Sequence, residues 1–152
     1  MNLFGVLDIS ASALLAERQR AEVATSNLAN AESAGADPAQ VYRRKEVVFG
    51  AQPMPFAAAL AEAGQPGAGE AAGEGGGEGV AVEAVVTDHS PLLRRYEPGN
   101  ANANAQGYVT YPNINPAQEI TDLMEAVRSY QLNISAAQAT KGMIQDSLTL
   151  LS

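Results

Sequence analysis

An unbroken heptad seam runs through the last third of the chain. Counted from Ile120, its a positions are Ile120, Val127, Ile134, Lys141 and Leu148, and its d positions are Leu123, Tyr130, Ala137, Ile144 and Leu151. Only Lys141 is charged. An apolar repeat sustained over about four heptads specifies a helix that lies along a partner, and the mixed residues flanking the seam do not name that partner. An intramolecular hairpin or small bundle would bury the seam within one chain. Association between chains would bury it equally well.

The start of this helix is written in the residues before it. Asn115 suits the cap, Pro116 the first helical position and Gln118 the capping-box position. Glu119, Asp122 and Glu125 then fall near the positive end of the helix dipole. Inside the helix, Gly142 costs about 1 kcal/mol relative to Ala, a loss that tertiary or quaternary packing must offset.

A second amphipathic helix is expected at the other end of the chain, from Leu3 to Ala31. Leu3, Leu7, Leu14, Ala21, Ala24, Leu28 and Ala31 recur at helical spacing, Glu17 interrupts the stripe, and no Pro breaks it. Such a helix spans roughly 43 Å at about 1.5 Å per residue. Its stop is Ser33-Ala34-Gly35, followed by Pro38.

The middle of the chain has a different texture. Val41–Phe49 and Val80–Thr87 read as short strands, and Leu92–Tyr96 and Tyr108–Tyr111 as two further extended segments bounded by Pro91, Pro98-Gly99, Gly107 and Pro112. Between the first two strands, Ala57 onward has brief helix potential and then gives way to Gly64–Gly79. That composition cannot bury enough apolar area to offset its ordering entropy and reads as a mobile loop. The expected fold class is therefore mainly α with a small β module, its long N- and C-terminal helices forming a coiled-coil-like pair. Residues 1–35 and 115–152 make the terminal-helix assembly domain, and 36–114 the β-rich middle region with its flexible loop at 64–79.

Composition restricts the partners. Nine Lys and Arg against seventeen Asp and Glu give a formal charge of −8, which argues against nucleic acid or an anionic membrane as the main partner. Part of that acidity (Glu62, Glu70, Glu74, Glu78, Glu83) lies in a stretch without basic residues. No run approaches the roughly 18 apolar residues of a membrane span, so direct membrane insertion is not expected. The N-terminus lacks a basic n-region and is interrupted by Asp8, unlike a cleavable signal peptide. With no Trp, five Tyr and three Phe, large core-filling side chains are scarce, which tilts the reading toward a chain completed by its neighbours.

Chemistry finds little support. Asp88-His89-Ser90 contains the chain's one histidine, but adjacency in sequence is not triad geometry, and a turn closed by Pro91 explains it better. There is no Cys, and one His cannot supply a zinc site, so no metal, cofactor or catalytic residue is expected. The Gly-rich run lacks the Lys and hydroxyl residue of a P-loop. Asn133-Ile134-Ser135 matches a glycosylation sequon inside the heptad seam and reads as accidental. The clusters Arg43-Arg44-Lys45 and Arg94-Arg95 could meet acidic surfaces of a neighbour, although such residues on strands are usually solvated.

The first helix ends in Ser26-Asn27-Leu28-Ala29-Asn30-Ala31, which resembles the signature of bacterial flagellar rod and hook proteins. Tyr42-Arg43-Arg44-Lys45, Asp88-His89-Ser90-Pro91, Tyr96-Glu97-Pro98, Gly107-Tyr108-Val109, Tyr111-Pro112-Asn113-Ile114-Asn115, Arg128-Ser129-Tyr130-Gln131-Leu132-Asn133 and Ala139-Thr140-Lys141 extend that resemblance, in order, to the proximal-rod family. The family's usual His-Pro-Asp-type segment is replaced here by Gly99-Asn100-Ala101-Asn102, and Gly64–Gly79 resembles a lineage-specific expansion.

The resemblance implies a structural subunit of the flagellar basal-body rod in the periplasmic space, exported by the flagellar type III apparatus without signal cleavage. Its partners would be copies of itself and other rod subunits. Its interface would draw on Leu3, Leu7, Leu14, Ala21, Leu28 and the seam residues, with Lys141 helping to fix register against an acidic neighbour. The alternatives are another flagellar rod subunit or a soluble cytosolic coiled-coil adaptor.

Overall fold

The computed structural model describes residues 3–52 and 79–150, with side chains from Gly5 onward. The side chain of Leu3, the seam residue Leu151 and most of the Gly64–Gly79 loop lie outside the described residues. The described elements, in chain order, are α1 (Leu3–Ala29), β1 (Lys45–Gln52), β2 (Gly79–Thr87), β3 (Leu93–Tyr96), β4 (Tyr108–Tyr111) and α2 (Pro116–Leu150).

The two helices have 27 and 35 residues. Helix α2 starts where its signals place it. The Asn115 side-chain oxygen accepts the Ala117 N–H at 3.1 Å, satisfying one of the donors a helix leaves open at its start. Helix α1 ends two residues before the expected Ala31. The Asn30 N–H is shared between the Ser26 and Asn27 carbonyls at 3.2 Å each, and the Asn30 side chain donates to the Ser26 carbonyl at 2.8 Å. The last turn thereby tightens and closes on itself.

The strands form two separate two-stranded sheets, β1–β2 and β3–β4. The β3–β4 pair is antiparallel, with Leu93 opposite Tyr111 and Tyr96 opposite Tyr108. Gly107 closes its turn at φ 82°, where a Cβ would meet the Tyr96 ring at 2.8 Å, so the position needs glycine on both counts. Gly35 bridges Thr110, tying the segment after α1 to β4. The β1–β2 pair is antiparallel too: the Asp88 N–H donates to the Arg44 carbonyl at one end, and Gly79 abuts the Gln52 carbonyl at the other.

Gly79 corrects an expectation. Assigned to the loop 64–79, it is a buried first residue of β2. A Cβ there would lie 2.8 Å from the Ser12 hydroxyl of α1, which accepts the Val80 N–H at 3.1 Å. Close passage of a strand over a helix makes this glycine a packing residue.

The chain divides into two compact units. One comprises residues 1–18, 49–83 and 128–152, and the other 19–48 and 84–127. The second has a small apolar core of Ala24, Val41, Val109, Ile114 and Ala126. In the first, the buried residues among those described are Ser10, Ala16, Gly79 and Thr140.

Candidate functional site

The densest chemistry in the molecule is a buried polar cluster where the signature at the end of α1 meets the segment before β1 and the first turns of α2. Asn27 lies at its centre, 1 % exposed. Its Nδ2 donates to the Lys45 carbonyl at 2.8 Å and to Glu119 Oε2 at 2.9 Å, while its Oδ1 accepts the Lys45 N–H at 2.9 Å and the Tyr42 hydroxyl at 3.0 Å. These four partners define the amide's orientation and use its full capacity. Toward Lys45 the side chain acts as one further strand partner, which explains why β1 begins at Lys45 and not at the expected Val41. Since the Tyr42 proton goes to Asn27, the Ser26 hydroxyl donates to Tyr42, at 3.1 Å.

Glu119 is likewise 1 % exposed, and both its oxygens are engaged. Oε2 accepts from Asn27, and Oε1 from Arg44 Nε at 2.6 Å. The same guanidinium lies 3.5 Å from Asp122 and 3.7 Å from Glu46. Glu119 and Asp122, three residues apart, share one helix face, so a single planar cation reaches both. The hydrogen bond to Glu119 outweighs the desolvation of Arg44 and raises its pKa above the usual Arg value. Charges buried in this way persist only when fully paired.

The sequence expectation for Arg44 is therefore corrected. It is neither a solvated strand residue nor free for a neighbour; it closes the fold of its own chain. Glu119, expected near the positive end of the helix dipole, is also the buried counter-ion. Arg20 and Glu125, 3.4 Å apart, add a more exposed pair about two turns further along. Asn27 to Glu119 and Arg20 to Glu125 together show that α1 and α2 run antiparallel here.

The seam residues divide between environments. The most deeply buried positions of α2 are Glu119, Ala126 and Thr140, each one residue ahead of an a position. Leu123, Ala137 and Ile144 of the d series and Ile134 of the a series are half-buried. Ile120, Val127 and Leu148 are 46 %, 44 % and 63 % exposed, Tyr130 is exposed at its margin, and Lys141 is exposed. On α1, Leu7, Leu14, Ala21 and Leu28 are half-buried. The a stripe thus faces outward from the helix pair for much of its length.

The β3–β4 hairpin carries a smaller cluster. Tyr96 and Tyr108 pack edge to face at 5.4 Å, and Arg95 lies over the Tyr111 ring at 4.9 Å. The Tyr111 hydroxyl donates to Glu97 at 2.9 Å. Hydrogen bonds from Asn100 and Tyr111 lower the Glu97 pKa, and the bond to Glu97 raises that of Tyr111. At Asp88-His89-Ser90, one Asp88 oxygen takes both the Ser90 hydroxyl and the Ser90 N–H, at 2.6 and 2.7 Å, which lowers the Asp88 pKa. His89 is exposed. This is a side-chain-closed turn, with Asp88 committed to Ser90.

Residues 7–36 match the family described as Flagella basal body rod protein, and residues 105–150 the family described as Flagellar basal body rod FlgEFG protein C-terminal. The sequence is 40 % identical over 150 residues to the flagellar basal-body rod protein FlgC of Salmonella typhimurium, covering 99 % of this chain and 98 % of that protein. It is 38 % identical over 154 residues to the protein of the same name from Bacillus subtilis, covering 99 % of each. The Yersinia enterocolitica protein of that name is 38 % identical over 150 residues, at 99 % and 98 % coverage. Similarity of this degree, running through both helices and all four described strands, places the chain in the FlgC family of flagellar basal-body rod proteins.

Proposed function

We propose that this chain is a building block of the proximal part of the flagellar rod, assembling through its terminal segments, residues 1–35 and 115–152, into a helical tube that transmits torque. Residues 36–114 lie toward the outside of that tube. The carrying observation is the outward a stripe of α2, where Ile120, Val127 and Leu148 are all substantially exposed. Covering each large apolar side chain is worth about 1.5–3 kcal/mol, so neighbours that bury the stripe gain both affinity and stiffness. The partners are further copies of the chain and adjoining rod subunits, and the role is structural, not enzymatic. Delivery is through the flagellar type III export apparatus with no cleaved signal peptide. Among the described residues no helix is long and apolar enough to cross a membrane, which supports assembly from outside the bilayer core.

The test is complementation in a strain lacking its own FlgC, followed by isolation of basal bodies. The native chain should restore motility and co-purify with them. Ile134→Asp should be absent from basal bodies and give no motility, whereas Glu74→Ala should behave as native. Normal motility of Ile134→Asp would refute the seam assignment. A purely cytosolic pool of the native chain would refute the rod reading.

A further inference from the structure

We propose that Arg44, Glu119 and Asn27 form a register lock, selecting the single antiparallel alignment of α1 and α2 that their apolar surfaces leave under-specified. Glu119, Ala126, Asn133 and Thr140 occupy equivalent positions on α2, seven residues apart, and the first, second and fourth are buried to within 2 % of full burial. Apart from Asn27, the buried side chains of the opposing helix, among those described, are the small ones of Ser10, Ala16 and Ala24. Small side chains make shallow holes, and a heptad repeat looks alike after a shift of seven residues. Packing alone therefore discriminates weakly between neighbouring alignments.

The polar cluster discriminates strongly. A shift of α2 by one heptad would bring Ala126 where Glu119 now stands, leaving the Asn27 amide without its carboxylate and the Arg44 guanidinium without its 2.6 Å partner. Glu119 is the one carboxylate in that series of four. Buried ion pairs add little net stability over apolar replacements of similar volume, but breaking one strands a charge. This asymmetry makes the cluster a selector of alignment. Arg44 and Glu119 are positioning residues, acting on assembly through the helix surface they bring into line.

The chain contains no Cys, so labels can be placed at will. Spin labels on the purified full chain at Arg20→Cys and Glu125→Cys should report one narrow distance, since these side chains face each other at 3.4 Å. A broad distribution in this parent would overturn the proposal. In the parent, Arg44→Met strands Glu119 and should lower Tm by about 10 °C; an unchanged Tm would overturn it. Arg44→Met combined with Glu119→Leu should recover most of that Tm while adding a population displaced by about 10 Å, one heptad along the helix. A single narrow distance in the folded double variant would overturn the lock. Should the double variant lose its helix signal, Glu119→Gln serves: it keeps shape and the Asn27 contact but removes the charge. At least one molecule in ten should then carry the displaced distance, and none doing so would overturn the proposal.

Discussion

The two compact units each hold a stretch of α1, a stretch of α2 and part of the β1–β2 pair, yet they are built from different materials. The unit of residues 19–48 and 84–127 has an apolar core around Val109 and the buried Asn27–Arg44–Glu119 cluster. Among the described residues of the other unit, burial falls on small side chains, while Leu15, Leu132, Met143, Leu148 and Leu150 are between 51 % and 87 % exposed. One unit is stabilised by the chain's own contacts. Among its described residues the other buries no large apolar side chain, so a neighbour that covers its exposed ones would stabilise it by mass action.

Substitutions in the two units should therefore differ in what they disturb. The largest effect is expected from Val109→Asp, which puts an unpaired charge at a fully buried site and should abolish cooperative unfolding of the isolated chain, by circular dichroism. Leu148→Asp is the counterpart in the other unit. At 63 % exposure it should change isolated-chain stability by less than about 0.5 kcal/mol, yet exclude the chain from basal bodies. Equal destabilisation by the two would erase the distinction.

Asn27→Ala removes the groups that satisfy the Lys45 N–H and carbonyl and one Glu119 oxygen, and should cost about 2–4 kcal/mol in urea denaturation. Gly107→Ala, strained at its positive φ and crowded by Tyr96, should cost about 1–3 kcal/mol in the same measurement. Gly142→Ala acts in the opposite direction. Its Cβ would meet nothing within 4 Å, so the isolated chain should gain about 1 kcal/mol from helix propensity. Impaired incorporation of that stabilised variant would show that a neighbour approaches closely at Gly142.

The smallest expected effect is a pH dependence within the unit of residues 19–48 and 84–127. Asp88 and Glu97 have pKa values below their unfolded ones, so their contributions are complete above about pH 4–5 and fade as the folded pKa is passed on acidification. Tyr111 has the opposite sign. Its raised pKa gives a contribution present below about pH 10 and lost above it. Asp88→Ala should flatten the acid limb slightly, and Tyr111→Phe should flatten the alkaline limb and part of the acid one.

Elements announced by neighbouring residues were legible in the sequence. Asn115-Pro116 sets the start of α2 because caps act over one turn, and Gly107 marks the β3–β4 turn because positive φ is a local demand. The heptad seam located a helix but not its orientation, since a periodicity shows that a face is apolar and not what covers it. The pairing of Arg44 with Glu119 joins residues 75 positions apart, and neither neighbourhood hints at the other. Asn27 was visible only as part of a family signature. Its role as a substitute strand partner for Lys45 required three dimensions. Gly79 was hidden by its company, being the last glycine of a glycine-rich run and the only one held against Ser12 among those described.

The meeting of Gly79 with the Gln52 carbonyl has a consequence for how such a chain can change over generations. The two ends of segment 53–78 are held side by side by the sheet itself. Closing a connection between fixed ends costs free energy only as the logarithm of its length, about 0.6 kcal/mol for each doubling. Lengthening the connection between Gln52 and Gly79 therefore carries only a small entropic cost. The same doorway offers a place to insert a tag or fluorescent domain.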